Sequence, residues 1–350
     1  MSFFVKKSGK QKGNSMKYSG VGGQAVLEGV MMRNQADYAV AVRKASGEII
    51  IRKEKVPERS AFGQTCRKIP FVRGVFSFVD SLSMGMKTLE YSASFIEEEE
   101  TKDQNGESGK EKKPASEKSE NMMMLVSILF AVVLCIGLFM LLPMFLVSLL
   151  RPVIGSRFLI SLLEGVLRVI IFLIYILAIS QMKDIRRVFM YHGAEHKCIN
   201  CIEHGLPLDV EHVRESSRLH RRCGTSFLLF VMLVSVFVGI FLPKDVLWQR
   251  LLSRLIMLPL VMGISYEIIR WAGSTDSGIA EVMSRPGLWL QKRFTTREPE
   301  DEMIEVGIAS VNAVFDWKAW QEKELGITFE EAGTEEKETA AAEDAAAKES

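Results

Sequence analysis

Residues 122–150 read MMMLVSILFAVVLCIGLFMLLPMFLVSLL, 29 positions without an Asp, Glu, Lys or Arg. A helix rises about 1.5 Å per residue and bilayer hydrocarbon is about 30 Å thick, so about 20 apolar residues suffice to cross it. This run spans with length to spare, and Pro143 either kinks it or marks its outer end. Three further apolar runs follow, at 158–182, 225–242 and 251–271. The last two are near the minimum length, and a hairpin dipping partway into the membrane is the alternative for that pair. The expected fold class is mainly α: a polytopic membrane protein with about four transmembrane helices and a small N-terminal region containing a β-hairpin.

Composition agrees with this reading through its arrangement. Apolar residues make up 48% of the chain, an ordinary share, but they are gathered into blocks between highly charged stretches. A net charge of +1 argues against a generic nucleic-acid binder. Five cysteines (Cys66, Cys135, Cys198, Cys201, Cys223) are too few and too scattered for a disulfide scaffold. The opening MSFFVKKSGKQKGNS lacks the apolar stretch of a cleavable signal peptide, so insertion is expected to rely on internal helices.

Basic residues orient the bundle. The stretches around Arg151 and Arg157, and around Lys244 and Arg250, carry two each. By contrast, 183–222 holds Lys183, Arg186, Arg187, Lys197, Arg214, Arg218, Arg221 and Arg222, and Arg270, Arg285, Lys292 and Arg293 follow the fourth run. The positive-inside rule then places both termini and the central polar segment in the cytoplasm, which an even number of spans permits.

Outside the membrane domain (122–272, with a cytoplasmic His-rich loop at 183–224), the expected order is a disordered N-terminus at 1–17, a hairpin and amphipathic-helix region at 18–96, a disordered linker at 97–121, a helical region at 273–323 and an acidic tail at 324–350. The alternation in YAVAVRKASGEIIIRKEKV predicts strands turning at Ser46-Gly47. Residues 70–95 predict an amphipathic helix after Pro70, resting on the membrane surface or the bundle, and 299–317 another helix. The glycines of Gly20-Val21-Gly22-Gly23 serve turns, since no phosphate-loop pattern follows them. Glu28 and Arg33 could pair or line a pocket. Glu164 and Arg168, one turn apart, should pair and face the bundle, a proton or substrate path being the alternative. Glu267 and Arg270 read as interfacial anchors.

All five histidines (His192, His196, His204, His212, His220) fall within 29 residues. Among them Tyr191-His192-Gly193-Ala194-Glu195-His196 contains H-x-x-E-H, which on a helix projects His192 and His196 from one face toward a single ion. Glu195 then lies where a general base for hydrolysis would sit, in the inverzincin order of the zinc-protease motif. A third ligand is available from His220 or Cys223, which precede the third run and so return to the membrane surface that the second run leaves. If the second helix continues past Lys183, His192 lies roughly 15 Å further along it, just outside the bilayer. The bland reading is a set of solvated surface histidines, with Glu195 paired to Lys197 or an arginine. Cys198-x-x-Cys201 has the spacing of half a structural zinc site or a redox pair, but no second pair and no thioredoxin-like surroundings accompany it.

Several blocks together resemble the YqhQ-like family of bacterial membrane proteins, described as predicted metal-dependent enzymes: Gly22-Gly23-Gln24-Ala25-Val26-Leu27-Glu28-Gly29-Val30-Met31-Met32-Arg33, Pro70-Phe71-Val72-Arg73-Gly74, the segment 191–197, the segment 218–227 and PGLWLQKRFTTREP at 286–299. The resemblance carries His192, Glu195, His196, His220 and Cys223 as matching positions, and Gly23, Gln24, Glu28, Gly29 and Arg33 as a second block without an evident ligand role. Leu27 stands where the family often has Met, and Arg221 where it often has Pro; the second departure loosens the turn before Cys223. The resemblance implies a bacterial cell-membrane location. The expected site is Zn2+ or another divalent transition metal on His192 and His196, completed by His220 or Cys223, with Glu195 catalytic. The expected function is a metal-dependent hydrolase acting on a peptide or lipid-linked substrate at the bilayer. The alternatives are a non-enzymatic scaffold or assembly factor with a structural metal or none, and a small transporter component, which homo-oligomer formation would favour.

Overall fold

The computed structural model describes residues 5–7, 17–57, 61–105, 117–150, 152–242, 246–275 and 277–329. In chain order these form β1 (Val5–Lys7), β2 (Val21–Val26), β3 (Gly29–Asn34), β4 (Asp37–Arg43), β5 (Ile49–Lys55), α1 (Ala61–Cys66), α2 (Val72–Asn105), α3 (Glu117–Ile136), a π-helical turn (Gly137–Leu141), α4 (Leu142–Ser148), α5 (Arg157–Ile179), α6 (Lys183–Glu203), α7 (Val210–Glu215), α8 (Gly224–Gly239), α9 (Leu247–Ser274), α10 (Gly278–Leu290), a second π turn (Gln291–Thr295), α11 (Asp301–Val314), α12 (Trp317–Leu325) and β6 (Ile327–Phe329).

Among the described residues, three stretches are long and apolar enough to cross a membrane: Leu125–Ser148, Arg157–Ile179 and Leu251–Ser274. The remaining expected span, α8, covers 16 residues, about 24 Å at the helical rise, so its length alone does not make it a crossing. Its apolar sequence continues to Leu242, but the helix ends at Gly239 in a turn, where the Ile240 and Phe241 amides bond back to Phe237 and Val238. Around these helices large apolar side chains face outward, among them Leu125, Leu129, Phe130, Val133, Phe145, Phe237, Leu255 and Ile256. In water such a surface would be strongly unfavourable; in lipid it is the expected covering.

The N-terminal region is larger than one hairpin. Four antiparallel strands run in the order β2-β3-β4-β5, because the glycine-rich segment read as turns itself forms β2, paired to β3 from Val21↔Asn34 to Val26↔Gly29. Gly20 does sit at positive φ before β2, and Gly47 turns β4 into β5 at φ +86° as expected. Side-chain parity explains the strongly apolar β3 and β4. Val30, Met32, Ala39 and Ala41 bury against α6 and α11, while Val26, Met31, Tyr38, Val40 and Val42 bury on the other face toward Met84, Tyr91 and Phe95 of α2. Both faces of the sheet are covered, so successive side chains are apolar on either side.

The linker expected at 97–121 is shorter than its composition implied. The Glu-rich end of α2 stays helical to Asn105, α3 opens at Glu117, and the remainder lies outside the described residues. Glu, Lys and Gln are good helix formers, so density of charge alone does not break a helix. The expected amphipathic helix rests on the bundle as α2: Gly74 packs against Tyr266 and Gly263, and Arg73 pairs with Glu267. Residues 5–7, within the stretch expected to be disordered, pair with β6 from Val5↔Phe329 to Lys7↔Ile327. The rest of that stretch, 1–4 and 8–16, and the acidic tail from 330 lie outside the described residues.

Candidate metal centre

The segment expected to be a cytoplasmic loop is largely helix. The chain breaks at Ser180–Met182 and helix resumes as α6, whose residues from Tyr191 to Glu203 are all buried. Polar composition read as loop here because the polar groups of α6 are satisfied by distant backbone rather than by water. Asn200 Nδ2 donates to the Ser217 and Leu219 carbonyls at 2.6 and 3.0 Å. Lys197 Nζ donates to the Arg214 and Ser216 carbonyls at 2.7 and 2.8 Å, and it pairs with Glu298 at 3.0 Å. These bonds strap residues 214–219 across the helix and deliver His220 and Cys223 beside it.

On this scaffold His192 and His196 lie one turn apart with ring centroids 4.3 Å from each other. Among the described residues, His192, His196 and Cys223 form the one group of three that could hold a metal ion, their donor atoms all within 4.8 Å of one another. Each imidazole is fixed from behind: His192 Nδ1 meets the Thr295 carbonyl at 2.7 Å, and His196 Nδ1 meets the Arg218 carbonyl at 2.7 Å. Carbonyls accept only, so each Nδ1 carries a proton and each ring turns its Nε2 toward the Cys223 sulfur. That arrangement, a ring nitrogen held by a backbone acceptor so that the other is free to ligate, typifies metal-binding histidines. Cys223 Sγ lies 3.2 Å from His192 Nε2 and receives the Thr225 amide at 3.4 Å from its own N-cap position on α8. The helix N-terminus favours the thiolate.

Burial would push the Cys223 thiol up, but His192 and His196 pull it well below its ordinary value. Burial likewise opposes charge on His192, yet the Cys223 sulfur and the Glu195 carboxylate hold it up to about 9. Glu195 is 5% exposed, and burial pushes its carboxyl up. Its Oε2 is buried without a hydrogen-bond partner, while the Gly23 amide donates to the carboxylate. A soft thiolate, two oriented imidazoles and an orphaned carboxylate oxygen beside them fit a divalent transition metal of the zinc class.

His220 takes a different place from the one expected. Its ring lies 5.5 Å from that of His196, but Nε2 faces Arg222 Nη2 at 3.3 Å and Glu203 at 3.9 Å, outside the three-donor group. Its backbone is clamped by Gln291, whose Oε1 accepts from the His220 amide at 2.9 Å and whose Nε2 donates to the His220 carbonyl and Ser226 Oγ, both at 2.8 Å. Glu203 is fully enclosed, taking Arg222 and the Ser19 amide and hydroxyl. His204 and His212 serve locally, on the Asn200 carbonyl and the Asp209 cap. Cys198 and Cys201 are core: burial pushes the Cys198 thiol well up and Cys201 up to about 12, which leaves both inert.

The second sequence block supports the first. A Cβ on Gly23 would lie 3.0 Å from Glu195 Cγ and 2.5 Å from the Met31 carbonyl, so glycine lets β2 press against the carboxylate. Glu28, at φ +49° in the β2–β3 turn, binds Arg187 through both oxygens at 2.5 and 2.6 Å and accepts from Tyr191 at 3.3 Å. Arg33, read as pairing with Glu28 or lining a pocket with it, donates from Nε to the Gln35 carbonyl. Sequence reasoning did not single out Asn200, Gln291 or Thr295, although the last two stand inside the quoted 286–299 block.

Residues 69–317 match the family described as "Protein of unknown function (DUF1385)". A relative titled "Uncharacterized protein YqhQ", from Bacillus subtilis (strain 168), is 37% identical over 304 residues, covering 86% of this chain and 94% of the relative. No solved structure matches the chain. The resemblance read from the sequence blocks holds at the level of the family: with most of its length matched, the chain belongs to the DUF1385 family.

Proposed function

We propose that this chain is a membrane-embedded metalloprotein whose zinc-class ion is held by His192, His196 and Cys223, with Glu195 as the general base of a hydrolytic reaction. The observation that carries the reading is the pair of Nδ1–carbonyl bonds, 2.7 Å each, which fix both rings with Nε2 toward the Cys223 sulfur. When bound, such an ion polarises an amide or ester carbonyl and activates water for attack. The protein's own part is to keep Glu195 Oε2 unpartnered and its carboxyl pKa raised by burial, which makes the carboxylate a stronger base. With His220 committed to Glu203, three ligands leave a fourth position open, which favours catalysis over a closed structural site.

The membrane reading is four crossings with both termini cytoplasmic. It is supported by the basic residues gathered on the site's side and by α8 running alongside α5, where Gly165 meets Val236. The site then lies at the cytoplasmic surface, within reach of a peptide or lipid-linked substrate.

Cobalt substitution tests the ligand set. The Co2+-loaded protein is expected to show a thiolate-to-metal charge-transfer band that disappears in Cys223→Ser. A band unchanged in that variant removes Cys223 from the set, and failure to take up cobalt removes the site.

A further inference from the structure

Within the helical bundle, away from the metal centre, Glu164 and Arg168 of α5 meet Arg254 of α9. Glu164 and Arg168 lie about 10 and about 16 Å along α5 from Arg157, inside the apolar span. Arg168 Nε donates to the Phe139 carbonyl at 2.9 Å, Nη1 to Ser235 Oγ at 3.2 Å and Nη2 to Glu164 at 3.5 Å. Phe139 belongs to the Gly137–Leu141 π turn, where the Leu142 amide bonds to Gly137, so the irregular backbone and the guanidinium satisfy one another. Arg254 pairs with the same Glu164, but its Nη1 is buried without an acceptor.

Among the described residues, charge does not balance here: two guanidinium groups face one carboxylate, α4 and α8 contain no acidic residue, and the acid of α9, Glu267, is engaged by Arg73 further along that helix. An uncompensated charge in low dielectric is costly, so an acceptor carrying negative charge is called for. Ser161, Glu164, Arg168, Ser235 and Arg254 line a cavity of about 10 Å³, room for one oxygen-sized atom. The same helices turn apolar side chains outward: Leu163 and Val166 of α5, Phe237 of α8, Leu252 and Leu255 of α9. A ligand reaching it from the side comes through lipid.

We infer that the Arg168–Arg254 cluster binds a phosphate oxygen of an anionic phospholipid headgroup, the acyl chains lying against α5, α8 and α9. Free phosphate shares the chemistry, but the outward apolar side chains of these helices favour the headgroup. The inference rests on the membrane reading and is independent of the metal.

Native mass spectrometry of the full chain, purified from membranes into micelles with equal phosphatidylglycerol and phosphatidylcholine, tests it. The wild type should retain phosphatidylglycerol preferentially. Arg254→Gln should lower that preference about tenfold, the worth of one charge-assisted hydrogen bond, whereas Glu164→Gln, which adds positive charge, should raise it. Equal retention of both lipids by the wild type, or lowered preference in Glu164→Gln, overturns the inference, and the opposite signs of the two variants separate it from simple misfolding. A melting shift with inorganic phosphate but no lipid preference assigns the site to a free anion and overturns the headgroup. A chain recovered in the aqueous fraction without detergent instead overturns the membrane reading itself.

Discussion

Glu195 Oε2 is the one carboxylate oxygen beside the three donors that is both buried and unpartnered, so its loss should separate binding from chemistry. Glu195→Gln should keep the metal at wild-type stoichiometry and lower hydrolytic turnover at least a hundredfold, the scale of a general base; unchanged turnover removes the assignment. Backbone crowding gives a second prediction. A Cβ at Gly193 would lie 2.1 Å from the Arg297 carbonyl, whereas one at Gly22 meets nothing within 4 Å. Gly193→Ala should therefore cost about 1–3 kcal/mol and lower the melting temperature, with Gly22→Ala near neutral. Because Arg297 is two residues from the Thr295 carbonyl that holds His192, Gly193→Ala should also weaken metal retention. Of these residues, His192, Glu195 and His196 were drawn together by H-x-x-E-H, which needs only helical periodicity, whereas Cys223 was one of two choices for a third ligand, beside His220, suggested by its return to the same membrane surface. Asn200, Gln291 and the contact of Gly23 with Glu195 were not legible, because only the fold brings these groups to their partners.

At the scale of elements, α6 shows why a polar segment was read as a loop. Periodicity arguments take polar residues as solvent-facing, and here Lys197, Asn200 and Glu203 are buried because backbone carbonyls and Arg222 receive them. The strands erred in the other direction: Gly22 and Gly23 looked like turn residues but sit in β2, where close approach to α6 leaves no room for a side chain at Gly23. The apolar spans were legible because length and absence of charge decide them, except for α8, whose helix ends three residues before its apolar run does. Cysteine accessibility tests the crossings. Val153→Cys, 85% exposed in the α4–α5 connection, should label from outside intact cells, and His204→Cys only after permeabilisation. Outside labelling at 204 reverses the orientation, and labelling of both from one side removes a crossing.

For the whole molecule, the sheet, α6 and α11 share one core, and the apolar helices α5 and α8 lead into and out of the three-donor group. Fixing α6 between these layers lets a three-donor group stay preorganised while buried. The Glu28–Arg187 pair joins sheet to helix at its exposed end; Arg187→Ala should lower stability by about 1 kcal/mol in a thermal melt, as expected for a bidentate, half-exposed pair. The central claim is the metal itself. Elemental mass spectrometry of the detergent-purified protein, prepared without chelator, should find close to one zinc-class ion per chain in the wild type and none in His192→Ala/His196→Ala. Metal absent from a folded wild type, or present equally in both proteins, would contradict the account and return these residues to a structural role.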